Sequence, residues 1–82
     1  MYKIEFSSIA ERQFFKLDYN VQDRILNTLK RIQLRPHAFI KRLTGSSFYR
    51  LRVGDYRLIL DVKQDILIVL VIEIGHRRNI YK

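Results

Sequence analysis

Hydrophobic and polar residues alternate in three stretches of the chain, and each stretch predicts a β-strand with one buried face. The first stretch covers residues 2–6, and the other two cover residues 48–53 and 56–62. Gly54 and Asp55 separate the last two stretches, which is typical of a β-hairpin. Residues 66–74 are apolar at almost every position. This run predicts a central strand that is covered on both faces.

Apolar residues recur at helical spacing between the first two predicted strands. Ser8 and Glu11 form a capping-box pattern, which predicts a short helix over residues 9–17. A second helix is expected from an Asn20 cap to about Leu34, because Pro36 disfavours helical geometry at the residue before it. The apolar stripes are Ala10, Phe14 and Leu17 in the first helix, and Val21, Ile25, Leu29 and Ile32 in the second.

The order of these elements is strand, helix, helix, strand, strand, strand. Strands that are segregated from helices in this way indicate an α+β fold. We expect an N-terminal strand and a two-helix hairpin packed on one face of a largely antiparallel four-stranded sheet. Residues 36–47 are expected to be irregular, with a turn at 45–47. A chain of 82 residues predicts a single domain, residues 1–82.

Charge narrows the possible partners. Sixteen Lys and Arg residues against eight Asp and Glu give a net charge of +8, which attracts nucleic acid, an anionic membrane or an acidic protein. The longest apolar stretch, residues 66–72, is far shorter than the ~20 residues of a membrane helix. Charged residues also interrupt any signal-peptide core at the N-terminus. We therefore expect a cytoplasmic protein without a membrane partner.

Several classes of chemistry lack the residues that they require. The chain has no cysteine, which excludes a disulfide scaffold, a thiolate zinc site and a cysteine nucleophile. The acidic residues and the two histidines show no metal-ligand spacing, and no glycine-rich phosphate loop is present. We expect neither a metal nor a cofactor.

The simplest register of the hairpin pairs Arg52 with Arg57 and Arg50 with Ile59. The three arginines then share one face of the sheet. Like charges on opposed strands repel, and a bound phosphate would relieve that repulsion through the planar guanidinium fork. The alternative is a solvated face with an ion pair to Asp61. The opposite, core-facing side of the hairpin comprises Tyr49, Leu51, Val53, Tyr56, Leu58 and Leu60.

The C-terminal residues add further polar chemistry directly after the predicted central strand. They supply His76, Arg77, Arg78 and Tyr81. A basic tail of this kind is also typical of a frayed, solvated chain end.

Three motifs resemble those of one protein family. Residues 48–57, FYRLRVGDYR, resemble the core hairpin of RelE-type toxins of the RelE/ParE superfamily. Residues 41–45, KRLTG, resemble the segment that leads into that hairpin. Residues 75–78, GHRR, together with Tyr81 resemble the end of the family's sequences. The order of elements also matches, so the resemblance covers nearly the whole chain.

The resemblance implies a toxin of a type II toxin–antitoxin pair. RelE-type toxins are ribosome-dependent endonucleases that cleave messenger RNA in the A site without metal, by attack of the ribose 2′-hydroxyl. The implied partners are the ribosome, messenger RNA and a cognate, acidic, RelB-like antitoxin encoded beside the toxin. Exposed apolar residues such as Ile9 or Leu26 are candidate contacts for that antitoxin.

The resemblance also assigns the site. Arg57 and Arg77 match arginines that would hold the scissile phosphate, Arg50 and Arg52 would orient the nucleotide, and Tyr81 would stack on a base or shape the 2′-hydroxyl environment. The candidate catalytic residues are Arg52, Arg57, His76, Arg77 and Tyr81. The candidate RNA- or phosphate-binding residues are Lys41, Arg42, Arg50 and Arg78.

The chain departs from the family in the second predicted strand, which is the first strand of the hairpin. Several members carry lysines where this chain has Arg50 and Arg52, and an arginine effectively cannot release its proton. His76 and Tyr81 are then the candidate proton carriers. Two alternatives stay open: a ParE-like toxin that binds DNA gyrase without nuclease activity, and an inactive basic domain that binds RNA or a partner.

Overall fold

The structure is a computed structural model that describes residues 1–76. These residues form an α+β fold in which two helices pack on a five-stranded mixed sheet, with strand order β1-β5-β4-β3-β2. β1 runs parallel to β5, and the other neighbouring strands are antiparallel. The helices are α1 (Ser8–Phe15) and α2 (Tyr19–Ile32), and the strands are β1 (Lys3–Phe6), β2 (Lys41–Arg42), β3 (Tyr49–Val53), β4 (Tyr56–Lys63) and β5 (Ile68–His76).

The predicted α+β class and the order of the main elements are confirmed, but the sheet has five strands and not four. The additional strand, β2, lies in a segment that the sequence predicted to be irregular, and it pairs with the first two residues of β3. A strand of two residues has no alternation to detect, so periodicity cannot reveal it. A short 3₁₀ turn, Pro36–Ala38, connects α2 to this strand.

The strand predicted for residues 66–74 begins later than expected. Ile66 and Leu67 lie in the turn after β4 and are exposed, and Leu67 has a positive φ of 55°. β5 lies inside the sheet, between β1 and β4. Its residues on the helix side are buried, whereas Ile68 and Leu70 on the other side are only half-buried. Full coverage of both faces, as the apolar run predicted, is therefore not seen in the described residues.

The start of α1 differs by one residue from the capping-box prediction. Ser7, and not Ser8, is the N-cap: its hydroxyl accepts a hydrogen bond of 3.0 Å from the Ala10 amide. The same hydroxyl donates a bond of 2.6 Å to the Ile72 carbonyl of β5. The contact with β5 decides which of the two serines is the N-cap. A capping-box pattern cannot reveal this contact, because the two residues are distant along the chain. In α2 the N-cap is Asp18, two residues before the predicted cap at Asn20.

α1 also completes the edge of β5. β1 pairs with β5 only over Ile68 to Val71. Further along, the Ile74 amide donates a bond of 2.6 Å to the Gln13 side-chain oxygen of α1. A backbone amide that is removed from water without a partner is destabilising, so these side-chain bonds replace the missing strand.

The core lies between the helices and one face of the sheet. Both predicted helical stripes point into it, with Leu17 and Val21 at its margin. The hairpin face that the sequence assigned to the core is buried or half-buried at every position. The buried hydrophobic residues are Ala10, Phe14, Ile25, Leu29, Ile32, Ile40, Leu51, Val53, Leu58, Leu60, Val69, Val71 and Ile74. Among residues 1–76, no helix is long and apolar enough to cross a membrane.

Replacing Ser7 by alanine tests the junction between α1 and β5. We expect Ser7→Ala to lower the free energy of unfolding by about 1–2 kcal/mol, because the helix loses its cap and the Ile72 carbonyl loses a donor. Ser8→Ala is the matched control, since Ser8 is exposed and lies inside the first turn. Urea unfolding of the two variants checks the prediction. Equal losses in the free energy of unfolding would mean that Ser7 is not the specific cap of α1.

Candidate phosphate-binding site

The β3–β4 hairpin has the register that the sequence predicted. Arg52 lies opposite Arg57, and Arg50 lies opposite Ile59. Gly54, at the turn, has a φ of 58°, a conformation that other residues adopt only with strain. Because side chains alternate along each strand, Arg50, Arg52 and Arg57 all lie on the face of the sheet opposite the helices.

β2 brings a fourth cation to this face. Lys41 pairs with Arg50, so its side chain lies on the same side of the sheet as the arginines. A cavity of about 240 Å³ opens there, which we call the arginine cavity. It is lined by Phe39, Lys41, Arg50, Arg52 and Arg57. Among the described lining residues all except Phe39 are cationic and none is acidic, so the cavity is complementary to a phosphate group.

Arg57 lies at the base of the arginine cavity and is only 5% exposed. It is on β4, the middle strand of the sheet, and its neighbours across the strands are Arg52 on one side and Gly75 on the other. The Nε and Nη1 atoms of its guanidinium are buried. Arginines are rarely buried to this degree, because removal of a charge from water is costly.

The acid that the sequence offered as a partner for the arginines forms its ion pair elsewhere. Asp61 Oδ2 lies 3.4 Å from Lys63 Nζ, on the same strand. The structure therefore gives the solvated-face alternative no support from Asp61.

Arg42 does not join the arginine cavity. It pairs with Tyr49, which places its side chain on the opposite side of the sheet from Lys41. Its guanidinium carbon lies 5.0 Å from the centroid of the Tyr49 ring, and its Nη2 donates a bond of 2.9 Å to the Tyr49 hydroxyl. Adjacent basic residues in a strand point to opposite faces, so only one of the two can contribute.

His76 is also separated from the arginine cavity. Its partner across the strands is Tyr56, and the centroids of the two rings lie 5.4 Å apart. Tyr56 belongs to the helix-side face, whereas Gly75 is the residue beside Arg57. The other C-terminal candidates, Arg77, Arg78 and Tyr81, lie outside the described residues.

Phe39 is a site residue that the sequence analysis missed. It lies in the connection between the 3₁₀ turn and β2, lines the arginine cavity and is 47% exposed. The available signal was an aromatic residue two positions before Lys41 in a basic segment. Lys41 is notable in another way. It is the single lysine among the described lining residues, and a lysine side chain can take part in proton transfer where an arginine effectively cannot.

The comparisons with known proteins agree with this fold. The family profile described as "ParE toxin of type II toxin-antitoxin system, parDE" matches residues 4–81. The chain belongs to the ParE toxin family. This ParE-family chain is also 30% identical to a putative RelE-like toxin protein from Escherichia coli, over 95% of the chain and 85% of that protein. It is therefore a toxin of the type II toxin–antitoxin class in the RelE/ParE superfamily, as the hairpin motif predicted.

Solved structures place the ParE-family chain among RelE-like folds. It matches the toxin fold in the intact Escherichia coli RelBE toxin–antitoxin complex with a TM-score of 0.80 and 27% identity, covering 93% of this chain and 96% of that one. It also matches a YoeB/ParE toxin from Agrobacterium tumefaciens with a TM-score of 0.78 and 14% identity, covering 90% and 96%. At that identity the second match shows the fold alone.

Proposed function

We propose that this toxin is a ribosome-dependent endoribonuclease that cleaves messenger RNA in the A site without a metal ion. The observation that carries the proposal is the arginine cavity, where four cations from β2, β3 and β4 line one opening on the sheet. A phosphodiester entering that cavity meets guanidinium forks that match its oxygens.

The reaction is a transesterification within the RNA strand. The ribose 2′-oxygen attacks the adjacent phosphorus, and the bond from phosphorus to the 5′-oxygen of the next nucleotide breaks. A base takes the 2′-hydroxyl proton, and an acid supplies a proton to the leaving 5′-oxygen. The products are a 2′,3′-cyclic phosphate and a 5′-hydroxyl. Negative charge increases on the phosphoryl oxygens, so pre-positioned cations lower the barrier.

The geometry supports a division of roles. Arg57 is held by burial in the central strand, so it stabilises the charge that develops on the phosphoryl group. Arg50 and the exposed Arg52 orient the flanking nucleotide. Proton transfer is proposed for Lys41 together with Tyr81, because His76 points to the helix side of the sheet. Arg77 and Arg78 complete the phosphate site, as the sequence motif indicates, and Arg42 contacts RNA outside the cavity.

The partners that we propose are a cognate antitoxin, the ribosome and messenger RNA. The likeness to the toxin of the Escherichia coli RelBE complex supports a cognate antitoxin of the RelB type. An acidic, partly disordered antitoxin segment would neutralise the basic face by folding upon it. Ile9 and Leu26, which the sequence offered as antitoxin contacts, are exposed at 54% and 42%. The ribosome and messenger RNA are the functional targets, and the cytoplasm is the compartment where they occur.

Cleavage of messenger RNA programmed on purified ribosomes tests the proposal. We expect the antitoxin-free chain to cut within the A-site codon, and Arg52→Ala to lower the rate at least tenfold, because an exposed cation that orients the nucleotide is lost. Arg12→Ala is the control, since Arg12 is an exposed arginine of α1 away from the cavity. Intact messenger with the wild-type chain, or equal effects of both substitutions, would contradict the proposal.

A second candidate function follows from the family match, because the profile that matches residues 4–81 is that of ParE toxins. In this alternative the chain binds DNA gyrase and has no nuclease activity. A gyrase cleavage-complex assay separates the two candidates. Gyrase trapped on DNA by the toxin, together with intact messenger on ribosomes, would replace the nuclease proposal with the gyrase one.

A further inference from the structure

A second basic cleft lies between α2 and the outer edge of β3, where β2 no longer covers that edge. Four polar residues of α2 line it at helical spacings of three and four, so they form one face of the helix. They are Arg24, Asn27, Thr28 and Arg31. The cavity has a volume of about 420 Å³, and within residues 1–76 no acidic residue lines it. We call it the helix cleft.

The helix cleft is continuous with the arginine cavity. Phe39 and Arg52 line both openings, so they lie at the junction between the two. The Phe39 ring is 47% exposed there, with Arg52 on the sheet and the arginines of α2 beyond it. The exposed aromatic ring therefore lies between two groups of arginines, one on the sheet and one on α2.

Arg24 is held in the helix cleft by a close approach to the β3–β4 turn. A Cβ atom built on Gly54 would lie 3.1 Å from Arg24 Nη2 and 3.3 Å from its guanidinium carbon. The absence of a side chain at Gly54 therefore makes room for the guanidinium against the turn. This contact keeps the charge of Arg24 near the edge of the sheet, beside Arg52.

We infer that the helix cleft binds the single-stranded RNA that continues from the phosphate in the arginine cavity, with Phe39 stacked against a base between the two. The inference rests on the proposed nuclease function and extends it to the path of the substrate. Basic grooves with aromatic platforms suit single strands because phosphates contact the cations while bases stack on the rings. An acidic polypeptide also matches the arginines, but it offers Phe39 no base to stack upon.

The first experiment compares two double variants that each remove two positive charges. Arg24→Ala with Arg31→Ala, which we call the cleft variant, removes the two positive charges that α2 contributes to the helix cleft. Arg12→Ala with Lys16→Ala, which we call the α1 variant, removes two exposed charges, one in α1 and one at its C-cap, that line neither cavity. Binding of a fluorescent adenine trinucleotide and dodecanucleotide RNA is measured over a range of salt concentrations. Binding of the trinucleotide measures the affinity of the arginine cavity. Binding of the dodecanucleotide measures the combined affinity of the arginine cavity and the helix cleft.

We expect the cleft variant to lower the salt slope for the dodecanucleotide by about 1.4, from roughly 0.7 per lost phosphate contact. Its affinity for the trinucleotide stays that of the wild type. The α1 variant leaves the slope for the dodecanucleotide unchanged. Circular dichroism melting of both variants establishes that they are folded.

The second experiment tests the aromatic junction. An RNA that carries 2-aminopurine loses fluorescence when this base stacks on an aromatic ring. We expect quenching with the wild type and with Phe39→Tyr, and no quenching with Phe39→Leu. Phe39→Leu also weakens binding about tenfold, in the range found for one base stacked on an aromatic side chain. The substitution is tolerated because about half of the ring is exposed.

The outcomes separate this inference from the function on which it rests. A wild-type chain that neither binds RNA nor cleaves messenger overturns both. A chain that cleaves messenger, but whose cleft variant binds RNA like the α1 variant, overturns the helix cleft alone. A cleft variant that loses affinity for a polyglutamate peptide while its RNA binding is unchanged assigns the cleft to an acidic polypeptide and overturns the inference as well.

Discussion

Replacing Arg57 by methionine is expected to lower the rate of messenger cleavage on programmed ribosomes by about 10²–10³-fold, the effect of removing one pre-positioned donor to a developing oxyanion. The melting temperature is expected not to fall. Methionine keeps most of the volume of the buried side chain but removes the positive charge that faces Arg52 across the strands. Relief of the repulsion between the two opposed arginines favours the methionine variant, because like charges directly opposite each other on neighbouring strands are destabilising.

The combination of lost activity and retained stability is what identifies a functional arginine. Arg12→Met serves as the control, since it makes the same exchange at an exposed position of α1. A gain of 1 kcal/mol would raise the melting temperature of a domain of this size by about 4–8 °C. A fall in melting temperature that accompanies the lost cleavage would instead mark Arg57 as a structural residue of the sheet.

Replacing Leu58 by alanine is expected to lower the free energy of unfolding by about 3–4 kcal/mol. Leu58 is fully buried on the helix side of the middle strand, so its loss leaves a cavity that rigid strands on both sides cannot close. A chain of 82 residues has a total stability of roughly 4–12 kcal/mol by the usual stability per residue. The variant therefore unfolds at a much lower urea concentration than the wild type.

Ile59→Ala is the matched control for this prediction. It removes the same number of carbon atoms from the next residue of β4, but Ile59 is only half-buried and lies on the opposite face. We expect a loss of about 1 kcal/mol, mostly from the lower strand preference of alanine. Equal losses at the two positions would mean that the core lies on both faces of the sheet.

Local patterns predicted the main elements well because each is long enough to show its period. The two helices, the N-terminal strand and the hairpin lie where the sequence places them, although their ends differ by a few residues. The ends depend on contacts that are distant along the chain. Ser7 caps α1 while bonded to Ile72, a residue 65 positions away, and this bond is invisible to a capping-box pattern.

The sequence predicted only part of the candidate site, because the rest of the site depends on contacts that are distant along the chain. The two-residue turn at Gly54 sets the hairpin register, so Arg52 and Arg57 were expected to face each other, and they do. Lys41 and Arg42 were indistinguishable as basic neighbours, because only the pairing of β2 with β3 decides which one faces the arginine cavity. Phe39 was missed because a connection without regular structure carries no pattern that places its side chain.

The sequence by itself determined the α+β class, the toxin family and the shared face of the three hairpin arginines, since periodicity, a specific motif and strand alternation are all local properties. The tertiary structure alone decided the fifth strand, the burial of Arg57, the inclusion of Lys41 and Phe39, and the separation of Arg42 and His76 from the arginine cavity. Each of these depends on which strands become neighbours. That choice is made by burial of the whole core, and no short segment encodes it.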